Sequence, residues 1–258
     1  QGVVISGLTS IGGDNNSGLM ISGFMNVTGN MASGLHFSGI ANITGQSFGG
    51  LMTSGLLNVV GEHMNGLQIA GIANITASKL NGVQVALCNY ATKARGLQIG
   101  LVNYYKEDMK GFQLGLVNAN PDTKVQMMVY GGNATPANIG VRFKNQLFYT
   151  ILGVGSMYQG LNDKFSASAS YRAGLSFPLY KGLSISGDLG YQHIEAFDNK
   201  DEVIPKRLYA LQARANLEYQ FTRKFGIFAT GGYGLTRFYN KSSNYDKGAI
   251  IEAGIVLF

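Results

Sequence analysis

Gly2, Gly18, Gly34, Gly50, Gly66 and Gly82 stand 16 residues apart, and Gly96 and Gly111 continue the series at spacings of 14 and 15. A fixed period of this length marks an array of supersecondary units, none of which can bury its apolar residues alone. The early unit reads Gly-Leu-x-Ile-Ser-Gly-h-x-Asn-h, with h apolar, as in Gly18-Leu19-Met20-Ile21-Ser22-Gly23-Phe24-Met25-Asn26-Val27 and the looser Gly66 to Ile75. Later copies lose one residue, as in Gly96-Leu97-Gln98-Ile99-Gly100-Leu101-Val102-Asn103 and the corresponding Gly111 to Asn118. In these, Leu97, Ile99 and Leu101 alternate with Gln98, Gly100 and Val102, the period of a strand with two unlike faces. The added Ser-Gly residue of the early copies is then expected to be a β-bulge. Turn residues such as Gly45-Gln46-Ser47 and Lys106-Glu107-Asp108 separate the units.

From Gln146 onward the strands lengthen. Phe165, Ala167, Ala169, Tyr171, Ala173, Leu175, Phe177 and Leu179 share one face, opposite Ser166, Ser168, Ser170, Arg172, Gly174 and Ser176. Tyr209, Leu211, Ala213, Ala215, Leu217, Tyr219 and Phe221 likewise oppose Gln212, Arg214, Asn216, Glu218 and Gln220. Phe165, Phe177, Tyr180, Tyr209, Tyr219, Phe221, Phe238 and Tyr239 fall near strand ends, where the aromatic girdles of a membrane barrel lie. The polar face would then line a lumen, with Arg142, Arg172 and Arg214 meeting Asp188, Glu218 and Glu252, because an unpaired charge inside is costly. Glu252 and Phe258 share parity, so either both point into the lumen or a bulge separates them.

Charge is unevenly placed: Asp14, Glu62 and Lys79 are the only charged residues before position 92. No run of about 18 apolar residues offers a helical membrane span. The single cysteine, Cys88, excludes a disulfide scaffold. A net charge of +6 without a dense basic tract gives no reason to expect nucleic acid. Gln1 opens the chain without a basic or apolar leader, so a mature chain after signal-peptide removal is expected.

Two architectures fit. The preferred one is all-β, a single transmembrane antiparallel β-barrel of about sixteen strands in one meander, residues 1–120 giving eight repeat strands and 121–258 the rest. Short strands are expected near Val125 to Gly132 and Ala137 to Lys144, with six longer ones to Phe258. The alternative is an eight-stranded C-terminal barrel preceded by a β-solenoid of eight repeats, with Leu and Ile in a dry core. Its repeat asparagines (Asn26, Asn42, Asn58, Asn74, Asn89, Asn103 and Asn118) would form a hydrogen-bonded ladder. Against it, Met20, Met25, Met52 and Leu57 would then lie outside, where few charges keep a rod soluble.

The runs Gly96 to Asn103, Gly111 to Asn118 and, loosely, Gly66 to Asn74 resemble the Gly-Leu-Gln-Ile-Gly-Leu-Val-Asn surface-repeat proteins in the outer membranes of diderm bacteria. The rest, closing on Gly254-Ile255-Val256-Leu257-Phe258, is similar to a bacterial outer-membrane barrel. The resemblance implies an outer-membrane location and β-structure, and brings no catalytic residue.

Other chemistry is sparse. His193 and Glu195 share a strand face, but no nucleophile can be paired with them by spacing. His36 and His63 lie in separate repeats without metal-ligand spacing. Asp198, Asp201 and Glu202 lack the pattern of a calcium loop. Gly231-Gly232-Tyr233-Gly234 precedes neither a Lys nor a helix, so it reads as strand glycine facing a crowded lumen. Lys181, Lys206, Arg207, Arg223, Lys224, Lys241 and Lys247, near strand ends, are placed to meet lipid headgroups or lipopolysaccharide phosphates. The expectation is a non-enzymatic outer-membrane protein without cofactor or metal. It would be a structural or accessory subunit of an envelope or transport assembly, contacting lipid and another outer-membrane protein; a passive porin-like pore is the alternative.

Overall fold

A computed structural model describes residues 2–156, 165–197, 207–239 and 244–258, and the regular structure among them is β-strand throughout. No helix among the described residues is long and apolar enough to cross a membrane. The chain divides into Gln1–Asp122 and Thr123–Phe258.

In the first unit the chain coils. β1 (Gly2–Ser6) and β2 (Thr9–Gly12) make the first coil, β3 (Asn15–Ser22) and β4 (Met25–Thr28) the second, β5 (Met31–Ser38) and β6 (Ala41–Thr44) the third, and β7 (Ser47–Ser54) and β8 (Leu57–Val60) the fourth. After β9 (His63–Ala70), the longer β10 (Ala73–Val85), β11 (Cys88–Ile99) and β12 (Val102–Leu114) each continue from the second half of one coil into the first half of the next, and β13 (Val117–Ala119) ends the series. All pairing is parallel and in register, with Gly18 opposite Gly2 and Asn42 opposite Asn26. Two ladders result. One runs β1-β3-β5-β7-β9 and on through the C-terminal halves of β10, β11 and β12. The other runs β2-β4-β6-β8, then their N-terminal halves, then β13. They face each other, since Phe48 and Met64 of the first and Val60 and Ala91 of the second share one core cluster.

The glycine period has a steric cause. Gly34 has φ +107, a left-handed value that side chains disfavour, and a Cβ there would lie 2.2 Å from the carbonyl oxygen of Gly18. The second series, at the corners, is as tight: a Cβ on Gly39 would lie 2.0 Å from the oxygen of Gly23.

These coils overturn the single sixteen-stranded barrel. A parallel stack sets each unit against an identical one, whereas an antiparallel meander would need one sequence to serve in both directions. The strands from β3 to β9 are also only eight or four residues long, short of the 9–11 needed to cross a bilayer obliquely. The Ser-Gly residue is a corner, not a bulge: Gly23 N–H donates to Ser6 O and Phe24 N–H to Leu8 O between β3 and β4. The expected dry core of Leu and Ile is met only in part, by a cluster that includes Phe48, Met52, Val60, Met64 and Leu80. Met20 and Met52 are buried, and so are the repeat asparagines, while Leu35, Ile69 and Leu101 are exposed.

The second unit is a closed antiparallel barrel of β14 (Lys124–Gly132), β15 (Ala137–Asn145), β16 (Phe148–Ser156), β17 (Ser166–Tyr180), β18 (Leu183–Ala196), β19 (Arg207–Thr222), β20 (Phe225–Phe238) and β21 (Asn244–Leu257), with β21 pairing back to β14. Where the sequence suggests two short and six longer strands, three have nine residues and five have 14 to 16. Tight turns at Gln146-Leu147, Lys181-Gly182 and Arg223-Lys224 share one end with the start of β14 and the end of β21, and Gln146 and Gly182 take the positive φ that such turns demand. The apolar parity faces out: Leu189, Leu211, Leu217, Ile227 and Ile251 are exposed. On β19 the outward run from Tyr209 to Tyr219 spans about 24 Å once tilted by roughly 45°, close to the apolar band of a membrane barrel.

Candidate functional site

The inward parity of the barrel collects every charged residue expected there. Arg172 binds Asp188 through two bonds, Nε to Oδ1 and Nη2 to Oδ2, each 2.8 Å. Arg142 binds Glu218 through Nη1 at 2.6 Å and Nη2 at 3.0 Å, and donates from Nε to Gln126 at 2.6 Å. Arg214 reaches Glu252 through Nε and Nη2, both at 3.1 Å. Arg172 Nη1 lies 3.7 Å from Glu252 Oε2, so two of the pairs form one chain. Three guanidinium and three carboxylate groups balance, and bidentate geometry gives each arginine a directional partner.

Residues that charge alone did not single out complete the arrangement. Tyr149 O–H and Asn216 Nδ2 each donate to Asp188 Oδ2 at 2.8 Å, and Thr230 O–H donates to Asn216 Oδ1 at 2.7 Å. The signal for Tyr149 was its parity with Ile151 and Gly153 on a short strand. Lys144 also turns inward and donates to Ser176 at 2.8 Å. Glycine makes the room: a Cβ on Gly190 would lie 3.1 Å from both Arg172 Cγ and Arg214 Nη1, and one on Gly232 would lie 3.1 Å from Arg214 Cγ. The glycine-rich stretch near Gly232 is therefore packing space beneath an arginine.

Around these ion pairs the lumen is filled. Met128, Tyr130, Tyr149, Ile151, Phe228 and Val256 form one buried cluster, with Phe258 packed against it, and Ile194, Ala196, Leu208 and Ala210 form another, flanked by Phe238 and Tyr245. Glu252 and Phe258 thus both point inward, and no bulge separates them. Arg172 and Tyr149 are each 1 % exposed and Val256 0 %, values that a water-filled channel past them would not allow. Near the end opposite the tight turns, a cavity of about 440 Å³ is lined by Asn133, Gln212, Thr236, Asp246 and Lys247 among others.

In the coiled unit the seven asparagines meet as one row. Asn26 donates to Asn42, Asn42 to Asn58 and Asn58 to Asn74, each at 2.9 Å; Asn74 donates to Asn89 at 3.1 Å, and Asn89 to Asn103 and Asn103 to Asn118 at 2.9 Å. Each of several also caps a corner carbonyl, Asn26 that of Phe37, Asn42 that of Thr53 and Asn58 that of Ile69, at 2.7–2.8 Å. A second row, Gln113 to Gln98 to Gln84 to Gln68, donates the other way along the stack at 2.8–2.9 Å.

The remaining candidates do not assemble. His193 sits on the outer face of the barrel, its Nδ1 2.7 Å from Tyr239 Oη and its Nε2 3.8 Å from Glu195 Oε2, which also pairs with Arg207. His36 is buried inside the coils and His63 lies at an exposed strand start, and no metal-binding cluster of His, Cys, Asp or Glu exists among the described residues. Asp198, Asp201, Glu202, Lys206 and Lys241 lie outside the described residues.

No family model matches the chain, and no curated protein matches it. Among solved structures, the N-terminal β-barrel domain of Pseudomonas aeruginosa OprF is 15 % identical with a TM-score of 0.37, over 52 % of this chain and 93 % of that one. Neisserial surface protein A is 9 % identical with a TM-score of 0.33, over 52 % and 92 %. Ail, the attachment invasion locus protein of Yersinia pestis, is 16 % identical with a TM-score of 0.29, over 52 % and 92 %.

Proposed function

We propose that this is an integral protein of the bacterial outer membrane whose barrel anchors it without conducting, as a structural or accessory component of an envelope assembly. Membrane-crossing strands must satisfy their backbone internally, and a closed barrel does so. The belt of outward Leu, Ile and Ala supplies the lipid-facing surface, bounded by Tyr191, Tyr209 and Tyr239 toward one end and Phe177, Tyr180, Tyr219 and Phe221 toward the other. Lys181, Arg223 and Lys224 at the tight turns, and Arg207 and Lys247 at the opposite end, stand where headgroup or lipopolysaccharide phosphates would meet them.

The observation that carries the non-conducting role is the buried Arg172–Asp188 pair, closed in by Tyr149, Asn216 and Tyr130 in mid-lumen. An open pore of this diameter would hydrate those charges. The reading is non-enzymatic, with no cofactor: among the described residues the three lumen carboxylates are each taken up by an arginine. A partner outer-membrane protein follows from the anchoring role.

Recording in planar bilayers tests it. The purified chain is expected to insert without stepwise conductance. Regular steps from the wild-type chain would establish the passive pore instead.

A further inference from the structure

The coiled unit buries its asparagine and glutamine rows beside one apolar cluster and leaves many more apolar side chains outside, where a water-soluble solenoid would be polar, and this apolar surface is organised. At the Gly-h corner, in-register stacking lines up Phe24, Leu56, Ile72, Leu87, Leu101 and Leu116, each 38–51 % exposed. The apolar surface wraps from this corner onto both ladders, to Leu35 and Ile69 on one and to Val59 and Val102 on the other. Eight rungs at strand spacing make a ridge about 34 Å long, more apolar surface than a soluble monomer leaves bare.

Charge is confined to the opposite edge. Every charged residue of the coils, from Asp14 and Glu62 through Lys79, Lys93 and Arg95 to the run Lys106–Lys110, lies at or beside the other corner, where His63 aligns with Lys79, Lys79 with Lys93 and Lys93 with Asp108.

We infer that the Gly-h ridge inserts into the acyl-chain boundary of a lipid bilayer, making the repeat unit a monotopic membrane element. This rests on the proposed membrane reading of the barrel, through which the same chain is already committed to a bilayer. Three features select lipid over a second protein. The apolar surface is convex and continues around the edge onto both faces, so a fluid phase can cover it where one flat partner face cannot. The ridge carries no charge, which leaves nothing to orient a protein partner. The corner carbonyls beneath it receive hydrogen bonds from the asparagine row, those of Phe37, Thr53 and Ile69 among them, so water is not needed there. The unit cannot be wholly immersed, because its other corner is charged; edge insertion in the plane of the interface buries the ridge and leaves that corner in water.

The chain has no tryptophan, so single reporters can be placed in the full-length protein. Leu56→Trp tests the ridge, Glu62→Trp the charged corner and Leu217→Trp the barrel belt, in phosphatidylcholine vesicles with and without acyl-brominated lipid. Far-UV circular dichroism matching wild type checks that each variant folds. Bromolipid is expected to quench Leu56→Trp and Leu217→Trp at least twofold and to leave Glu62→Trp unchanged. Quenching of Leu217→Trp alone would overturn the inference while sparing the barrel reading. If Leu56→Trp were also blue-shifted and the particle mass doubled, a second copy would cover the ridge instead. Failure to quench Leu217→Trp would overturn both readings.

Discussion

Both units of this chain turn apolar side chains outward and bury polar ones beside smaller apolar clusters, yet the polar chemistry inside differs. The barrel uses arginine and carboxylate, and the coils use asparagine and glutamine. Repetition explains the difference. In a parallel in-register stack an inward polar side chain that recurs from coil to coil meets its own kind at the ~4.8 Å strand spacing, so it must donate and accept at once. Amides can do this, whereas stacked carboxylates or guanidiniums would repel at every rung. The barrel does not repeat, so Arg172 can face Asp188 and Arg142 can face Glu218.

The comparison breaks most visibly where the stack depends on having no side chain. Gly50→Ala would set a Cβ 2.2 Å from the oxygen of Gly34 at φ +130. The expected loss is on the order of 5 kcal/mol, because left-handed strain adds to a backbone overlap that neither coil can relieve. Hydrogen exchange should show lost protection from β5 to β9 with the barrel strands unaffected. Equal loss in both units would mean that they fold as one.

In the barrel, Asp188→Ala should cost about 3–5 kcal/mol, since buried Arg172 loses both short bonds to its partner and keeps only the longer contact to Glu252. The double variant Asp188→Leu, Arg172→Met should recover most of that loss. Urea unfolding in lipid vesicles reads both, and a double variant no more stable than the single one would mean that Arg172 has no penalty to relieve.

A titratable group tests the coil interior from the other side. His36 stands in register between Met20 and Met52, edge-on to Phe48 at 4.8 Å, and burial lowers its pKa from 6.5 to about 4. The unfolded chain takes up the proton first as the pH falls, so the stability due to neutral His36 is complete above pH 6.5 and is lost between 6.5 and about 4. The loss approaches about 3 kcal/mol. His36→Met, which matches both neighbours, should flatten the pH dependence of exchange in β5, and an unchanged slope would assign it elsewhere.

The smallest effect sharpens the rule. Ser10 occupies the asparagine position of the first coil, opposite Asn26, and Asn26 Oδ1 and Ser10 Oγ both lack hydrogen-bond partners. Ser10→Asn should extend the row by one bond and stabilise the first coils by about 1 kcal/mol, read as slower exchange in β2 and β4.

How much of this was legible follows the same division. The eight barrel strands, their lumen charges and the inward turn of Glu252 were readable because period-2 alternation assigns faces directly. In the repeats the sixteen-residue glycine period and the asparagine row were readable, but their meaning was not. Leu97-Gln98-Ile99 says that two faces differ and leaves open which is wet. Assuming a wet exterior put the leucines inside, and that supposed soluble rod then made the barrel the better reading. Tyr149 was missed because its strand is short, and the corner glycines because a steric contact between successive coils has no local signature.

The two amide rows run against each other: asparagines hand their protons toward the C-terminus and glutamines toward the N-terminus. Their dipoles oppose, and the three glutamine bonds of the later coils offset part of the field of the six asparagine bonds. Each row is also directional, and no member can turn over without leaving two neighbours mismatched. Lengthening such a protein by duplication would therefore require only that each new coil present its amides in the sense already set.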